Sequence, residues 1–217
     1  MTNYTFHLLL EGTLDTLIMT LFSSIFAVIF GLPLGVFLFI TQKGGILEMP
    51  KVNHLLGIVV NITRSFPFII LIVLLLPLSR FLIGTSIGVG AAIISLSIAT
   101  IPFIARLFEG ALAEIDKGLI EATLSMGASR WIVIKMIISE TLPSLTQAFV
   151  TAVISIVGYS AMAGTLGAGG LGDLAIRIGF MSNQPDVLFY TVIIMIIIVQ
   201  AIQMLGDKIT KILRKHQ

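Results

Sequence analysis

The chain of 217 residues contains no cysteine, and Asp, Glu, Lys and Arg make up only 11% of it. Without cysteine it can form no disulfide, no thiolate metal site and no cysteine nucleophile. A soluble globular domain carries roughly 25% charged residues, so an ordinary soluble surface is excluded. Hydrophobic residues make up 57% of the chain, and the mean hydropathy is +1.08. These values indicate a membrane protein.

The sequence also lacks the groups that supply energy or catalysis. No G-x-x-x-x-G-K-[ST] occurs, so the chain binds no ATP through a P-loop and its energy must come from a partner. His7, His54 and His216 are far apart along the chain, so no metal site is expected. The apolar runs hold no carboxylate pair and no nucleophile constellation. We therefore expect no catalytic residue and no bound cofactor.

Long uncharged runs predict five transmembrane helices within a single membrane domain, 1–217. A helix needs about 20 apolar residues to cross the hydrocarbon core. The predicted spans are 14–40, 55–79, 81–107, 141–163 and 187–206, the second resting on the shortest uncharged run. The runs are continuous rather than alternating, which favours helices over barrel strands. The predicted fold class is all-α and polytopic.

Lys and Arg in the predicted loops indicate the orientation, because short cytoplasmic loops carry an excess of them. Eleven of the thirteen fall on one face, which places the N-terminus outside and the C-terminus in the cytoplasm. The other face holds only Arg80 and Arg177. The predicted cytoplasmic residues are Lys43, Lys51, Arg64, Arg106, Lys117, Arg130, Lys135, Lys208, Lys211, Arg214 and Lys215.

Four residues in or near the predicted spans can each have one of two roles. Gly31 and Gly35 form a GxxxG pair, which allows close helix approach. We favour packing within one chain over a dimer seam. Arg64 and Arg106 are the charges nearest the hydrocarbon, and both lie near predicted cytoplasmic ends. We favour snorkelling or interhelical pairing over substrate contact for these two.

The segment 109–140 is the only sizeable predicted non-membrane segment on the inner face. A short helix is expected from Ile120 to Met126, with Glu121 near its start and Gly127 ending it in a left-handed conformation. Ser129 then N-caps a second helix. The short helix would expose an apolar surface that suits either a protein partner or the lipid interface. The surface residues are Leu119, Ile120, Leu124 and Met126.

This segment resembles the EAA loop of ABC importer permeases. Glu121-Ala122-Thr123, then Gly127 and Ile137, follow that family's spacing, with Thr123 in place of the second alanine. Leu142-Pro143 comes slightly later than the strict pattern. The resemblance implies that the short helix couples the permease to an ATPase subunit. The implied coupling residues are Glu121, Ala122, Thr123, Leu124, Met126 and Gly127.

Further segments resemble the methionine-importer branch of type I ABC importers. They are N-I-T-R-S-F-P-F-I-I-L from residue 61, G-T-S-I-G from 84, G-Y-S-A-M-A-G from 158 and G-A-G-G-L-G from 167. The resemblance implies two identical permease subunits in a prokaryotic cell membrane, two cytoplasmic ATP-binding subunits and an external substrate-binding protein. The implied substrate is methionine or a related amino acid. Another amino acid or a methionine-containing peptide is the alternative.

Gly167, Gly169 and Gly172 match G-x-G-x-x-G, and Asp186 lies 19 residues after Gly167. A dinucleotide fingerprint has this form. The segment before it is a predicted membrane helix rather than a strand, so we interpret the glycines as a tight external loop after the fourth span. That loop either shapes the outer mouth of a passage or is a plain connector.

Tyr159 and Met162 are three residues apart in the fourth predicted span, beside Gly158 and Ala161. A thioether beside small residues suits a cavity for an apolar amino acid. The alternative is that Met162 fills space in the helix packing. With the family resemblance, we predict a role for Tyr159 and Met162 in the translocation pathway or its gate.

Two other functional classes are less consistent with the sequence. An ion-coupled secondary transporter would favour internal repeats and intramembrane acids, and four of the five predicted spans have no Asp or Glu in their uncharged cores. An intramembrane enzyme would need catalytic groups that these spans lack. Co-purification with an ATPase separates the importer from both.

The orientation is testable with a reporter fused after Gln217. We expect an alkaline phosphatase fusion there to be inactive and a fluorescent-protein fusion to be bright, because the charge distribution places the tail in the cytoplasm. A phosphatase fusion active only outside the cell would contradict the topology.

Overall fold

The computed structural model describes residues 3–215, so the ends of the chain, including His216 and Gln217, lie outside the described residues. Within 3–215 the chain forms helices and no strand. The α-helices are α1 Asn3–Thr41, α2 Pro50–Ser65, α3 Phe68–Ile83, α4 Val89–Leu112, α5 Lys117–Ser125, α6 Arg130–Glu140, α7 Leu142–Ala163, α8 Gly170–Asp173 and α9 Pro185–Arg214. Two π-helical segments, Gly164–Ala168 and Leu174–Met181, flank α8.

The all-α membrane fold is confirmed. Among the described residues, four helices are long and apolar enough to cross a membrane, and the count reaches five if α2 and α3 form one broken span. The four are α1, α4, α7 and α9.

The first helix is longer than the predicted span 14–40. It begins at Asn3 and includes Glu11 and Asp15, because a charged residue ends an uncharged run without ending a helix. Its 39 residues correspond to about 58 Å at 1.5 Å per residue, well beyond the hydrocarbon thickness.

The boundaries predicted for the second and third spans were wrong. The range 55–79 is not one helix, because the chain breaks at Pro67, which caps the start of α3. Proline also disfavours the helical region for the residue before it, Phe66. The range 81–107 includes the end of α3 and the turn at Gly84, whose φ of +80° ends that helix. The uncharged run therefore hides a turn between two helices.

The helices form two compact units. The first comprises residues up to Ala27 with Phe66–Thr100 and Val153–Gln203, and the second comprises Val28–Ser65, Ile101–Ala152 and the residues from Met204 onward. In the first unit, Tyr159 and Phe68 pack at the edge of a core of small and aliphatic side chains. That core consists of Met19, Ile72, Ala92, Leu96, Ala163 and Ala168.

Within the first unit, α1 holds the glycine-rich turn that leads into α8. The N–H of Leu171 donates to Thr16 Oγ1 over 2.9 Å. The Thr16 hydroxyl donates in turn to the carbonyl of Gly12, at 2.8 Å. Thr16 of α1 thus supplies an acceptor to one of the first N–H groups of α8, which have no partner within the helix.

The glycines of this turn serve close packing. Gly167 and Gly169 have φ values of +89° and +84°, which other residues adopt only with strain. A Cβ on Gly172 would collide with the backbone of Ala161. The turn is therefore tight and close-packed, as predicted for these glycines, and it follows a helix rather than a strand.

In the second unit, Gly31 and Gly35 of α1 face α4. An added Cβ would lie 2.9 Å from the Ile104 side chain at Gly31 and 2.6 Å from the Ala105 carbonyl oxygen at Gly35. The pair therefore mediates packing within the chain, as favoured from the sequence.

Arg106 joins α4 to α2 in the same unit. Its Nη1 lies 2.6 Å from Glu109 Oε2, and its Nη2 donates to the carbonyl of Gly57 over 3.2 Å. The side chains of Arg106 and Glu109 are 23% and 18% exposed, so the pair is largely enclosed. This is the interhelical pairing favoured from the sequence for Arg106. Arg64 lies exposed in the last turn of α2.

Replacing Thr16 by valine should destabilise the first unit. The substitution removes the acceptor of the Leu171 N–H, and Leu171 is fully buried. A buried donor left without a partner costs about 1–3 kcal/mol. We expect thermal unfolding of the detergent-solubilised protein to occur several degrees lower. Thr13→Val is the matched control, because the Thr13 hydroxyl bonds only to the Leu9 carbonyl on its own helix. Equal losses for the two variants would contradict the role given to Thr16.

Candidate functional site

The segment between α4 and α7 folds into two short helices joined by a turn. α5 is nine residues long and α6 is eleven. Asp116 caps the start of α5 by accepting a hydrogen bond from Gly118 N over 2.8 Å. A single residue, Thr141, separates α6 from α7, so α6 leads almost directly into a membrane helix.

The predicted start of the short helix was wrong by one turn. We expected Ile120 to Met126 with Glu121 near the N-terminus, whereas α5 begins at Lys117. Glu121 therefore stands in the second turn, where the N-terminal dipole has largely decayed. Asp116 is the residue that interacts with this helix end. Its signal was in the sequence, because aspartate is a preferred N-cap residue.

The turn has the geometry that its glycine predicts. Gly127 has a φ of +79°, and its N–H donates to the carbonyl of Leu124 at 2.9 Å. Ser129 occupies the N-cap position of α6 with an extended backbone, although its side chain makes no capping bond. The left-handed residue thus sets the direction in which α6 leaves α5.

Most of the candidate coupling residues present their side chains outward. Glu121 and Ala122 are exposed, Leu124 is 43% exposed and Met126 is 79% exposed. Gly127 is exposed as well. This surface combines a carboxylate with apolar side chains, which is the composition of a docking surface.

Thr123 differs from its neighbours because its side chain faces inward. It is 9% exposed, and its hydroxyl donates to the carbonyl of Leu119 over 2.7 Å. The hydrogen bond within α5 satisfies the hydroxyl, so threonine fits where the family pattern has alanine.

Trp131, which the sequence pattern does not single out, extends this candidate docking surface. It lies in the first turn of α6 and is 74% exposed, beside Ile132 at 55%. Large aromatic side chains dominate the energetics of protein interfaces. The helical pattern of 130–138 did not reveal this position, since it does not show which face the rest of the chain covers.

A cavity lies between α5 and the loop that follows α1. Its volume is about 470 Å³. Glu121 and Leu124 line one side of the cavity, so these two candidate coupling residues have both an exposed surface and a cavity beside them. The other lining residues are Phe39, Gln42, Lys43, Gly44, Gly45, Ile46, Ala113, Ile115, Lys117 and Ile120. No sequence pattern predicts that the loop after α1 approaches α5.

Tyr159 and Met162 have different surroundings. The Tyr159 ring stacks on Phe68 with 3.7 Å between ring centroids and packs against the core of the first unit. Met162 is 43% exposed. The role of these two residues in a pathway stays a prediction.

Arg177 and Asp173 form an exposed ion pair next to α8, with 2.7 Å between Nη2 and Oδ2. The hydrogen bonds that Arg177 donates to the Asp173 carboxylate, and the negative charge of that carboxylate, raise the pKa of the Arg177 guanidinium. Since arginine is protonated throughout the physiological range, this pair gives no pH dependence near neutrality.

The long apolar helices and the exposed two-helix loop are those of a polytopic membrane protein. Comparison with known proteins gives the family. Residues 31–216 match the family of binding-protein-dependent transport system inner membrane components. The chain belongs to this family, so it is a multi-pass inner-membrane transport subunit rather than an enzyme.

Several curated relatives are similar over most of their length. The probable D-methionine transport system permease protein MetI of Pasteurella multocida is 46% identical over 201 residues, covering 92% of this chain and 93% of the relative. The methionine import system permease protein MetP of Bacillus subtilis is 47% identical over 180 residues, covering 82% and 81%. The predicted resemblance to the methionine-importer branch is confirmed by these relatives.

Solved structures agree. An inward-facing conformation of the MetNI methionine ABC transporter has a chain that matches with a TM-score of 0.95 and 42% identity, covering 98% of this chain and 99% of that one. An amino acid ABC transporter structure matches at a TM-score of 0.71 and 19% identity, which supports the fold alone.

Proposed function

We propose that this chain is the permease subunit of an ATP-driven importer that moves methionine or a closely related amino acid into the cytoplasm. The observation that carries the proposal is the 46% identity to a D-methionine permease over 92% of the chain. The long apolar helices supply the membrane-spanning part, and the exposed loop between α4 and α7 supplies a docking element.

The proposed assembly contains two copies of the chain, two ATP-binding subunits and an external substrate-binding protein. Two copies related by a two-fold axis give the simplest closed arrangement. The chain has no P-loop, so ATP binds to the partner subunits. The N-terminus lies outside and the C-terminus in the cytoplasm, which brings α5 and α6 to the side where ATP is available.

In this mechanism α5 is the mechanical link. The ATPase subunits contact the exposed side of α5 through Leu124, Met126 and Glu121. Because only Thr141 separates α6 from α7, movement of α5 reaches a membrane helix through a short rigid path. Rigid-body rearrangement between two states then alternates access to the passage.

Reconstitution tests the proposed function. Permease, ATP-binding subunit and cognate binding protein in liposomes should import radiolabelled methionine only when ATP is present. Omission of the ATP-binding subunit should abolish uptake, and subunit counting should give two permease copies per active complex. Uptake driven by an ion gradient without the ATP-binding subunit, or by single permease copies, would contradict the proposal.

Substitutions at Gly127 and Glu121 test the coupling role. A Cβ in the left-handed region costs about 1–2 kcal/mol, and a β-branched side chain is disfavoured further. Gly127→Val should therefore misdirect α6 and lower both ATP-binding-subunit retention and uptake by about tenfold, while membrane insertion and dimerisation persist. Glu121→Ala should weaken retention without changing the turn.

The control is Gly110→Val. Gly110 lies in α4, and no other atom comes within 4 Å of its added Cβ. This variant carries the same side chain without the backbone strain. If the Gly127 and Glu121 variants hold the ATP-binding subunit as firmly as the wild type and still transport, α5 is not the coupling helix. A helix α5 that lies on lipid would leave retention of the ATP-binding subunit unchanged in this way.

A further inference from the structure

An open groove runs between α7 and α9 within the first unit. Its volume is about 300 Å³, at the lower end of the range of small-molecule pockets, about 300–1,000 Å³. α7 contributes Ile154, Val157, Gly158 and Ala161, and α9 contributes Met195, Ile196, Val199 and Gln200. An added Cβ on Gly158 would meet no atom within 4 Å apart from the nearby backbone of its own helix, so there is open space beside Gly158. Met162, which follows Ala161 on the chain, is also exposed.

Gln200 is the one polar side chain of the groove. It lies in the uncharged run from Val187 to Gly206. At 1.5 Å per residue it is about 20 Å from Val187 and about 9 Å from Gly206 along the helix axis, which is inside the apolar span. Its side chain is exposed, and its amide forms no hydrogen bond with any residue within 3–215.

Two hydroxyl groups of α9 are hydrogen-bonded inside the chain. The Thr191 hydroxyl donates to the carbonyl of Leu188 at 2.8 Å, and Thr210 bonds Gln147 Oε1 at 3.4 Å. A carboxamide facing hydrocarbon would lose the hydrogen bonds that it makes to water. A polar environment at membrane depth would satisfy the Gln200 amide. Polar side chains in spans usually face a bundle interior or a water-filled cavity.

The exposed face of α1 provides the contrast. Leu21, Phe22, Ile25, Phe26 and Ile29 are each more than 40% exposed, and no polar side chain lies among them. Such a face is typical of contact with lipid tails. The α7–α9 groove differs from it by its concave shape and by its amide.

We propose that the α7–α9 groove lines the substrate passage and that Gln200 is the residue in it that hydrogen-bonds the substrate. This inference rests on the proposed function and names a contact for it. A carboxamide both donates and accepts, so it can bond a substrate carboxylate or ammonium group. Met195, Val199 and Val157 surround an apolar side chain, and the thioether of Met195 adapts to its shape. The ligand class is a zwitterionic amino acid with an unbranched apolar side chain.

Single-cysteine labelling tests the position of the groove, because the chain has no cysteine of its own. Gly158→Cys, Gln200→Cys and Ile29→Cys are made in the permease, assembled with a cysteine-free ATP-binding subunit and reconstituted in liposomes. Each is treated with a charged, membrane-impermeant thiosulfonate and with a lipid-soluble maleimide. We expect the charged reagent to label the two groove cysteines at least tenfold faster than Ile29→Cys, and methionine to slow that labelling.

Each other labelling result overturns the inference. Reaction with the lipid-soluble maleimide alone would mean that lipid fills the groove. Disulfide formation between two Gln200→Cys copies, without access for the charged reagent, would mean that a second copy covers it. Labelling by the charged reagent that methionine does not slow, in a wild-type background that imports methionine, would leave a water-filled groove without substrate contact.

Uptake kinetics test Gln200 itself. Gln200→Leu keeps the bulk but loses the amide, so the KM for methionine should rise about fivefold to tenfold, the loss of about one hydrogen bond. Gln200→Asn, which keeps the amide, should recover part of that loss, and Ile29→Leu should leave the KM unchanged. An unchanged KM for Gln200→Leu overturns the substrate contact. Failure of the wild type to import methionine would instead refute the proposed function. Access of the charged reagent to the groove is measured without transport, so the two failures can be distinguished.

Discussion

Hydrocarbon offers no partner to an N–H, C=O or hydroxyl group, and the architecture follows from this constraint. The backbone forms its hydrogen bonds within helices, and many hydroxyl groups of the helices donate a hydrogen bond to the carbonyl one turn earlier. Thr16 donates to Gly12, Ser24 to Thr20 and Thr100 to Leu96, at 2.8, 2.6 and 2.7 Å. Hydroxyl groups treated in this way can be buried in a membrane helix at little cost. The Thr16 oxygen also accepts a hydrogen bond from the backbone N–H of Leu171 in α8.

Close approach of helices is the second requirement, because apolar burial drives no association between helices within lipid. Glycine provides it where α1 meets α4, and Arg106 adds a polar link from α4 to α2. These contacts fix α4, whose C-terminal end leads into α5. The second unit therefore gives the two-helix loop a firm base on the side from which the chain enters it. A hydrogen bond between Ser144 of α7 and Glu114, next to α5, fixes the side from which it leaves.

Composition and pattern predicted the class of fold and the turn at Gly127, because hydropathy and left-handed glycine are local properties. They did not predict the break at Pro67 or the turn at Gly84, since both lie inside or beside uncharged runs where hydropathy does not change. The docking loop was located from its family spacing, whereas the exposure of Trp131 depends on which face the rest of the chain covers. The spacing of Tyr159 and Met162 and the family resemblance predict a pathway role for Tyr159. The contact of its ring with Phe68 depends on tertiary packing, which the spacing does not show. The position of Gln200 beside a groove could not be read from one helix alone.

The exposed position of Trp131 has a spectroscopic consequence. It is the single tryptophan of the chain, and it stands 74% exposed at the start of α6, beside the left-handed turn. Indole emission excited at the red edge of the protein absorption band therefore comes, for this subunit, from one known place. The permease carries a native fluorophore at the surface through which we propose that it receives the force of ATP hydrolysis. With tryptophan-free partners, the arrival and departure of an ATP-binding subunit at that surface can be followed in real time without attaching a dye.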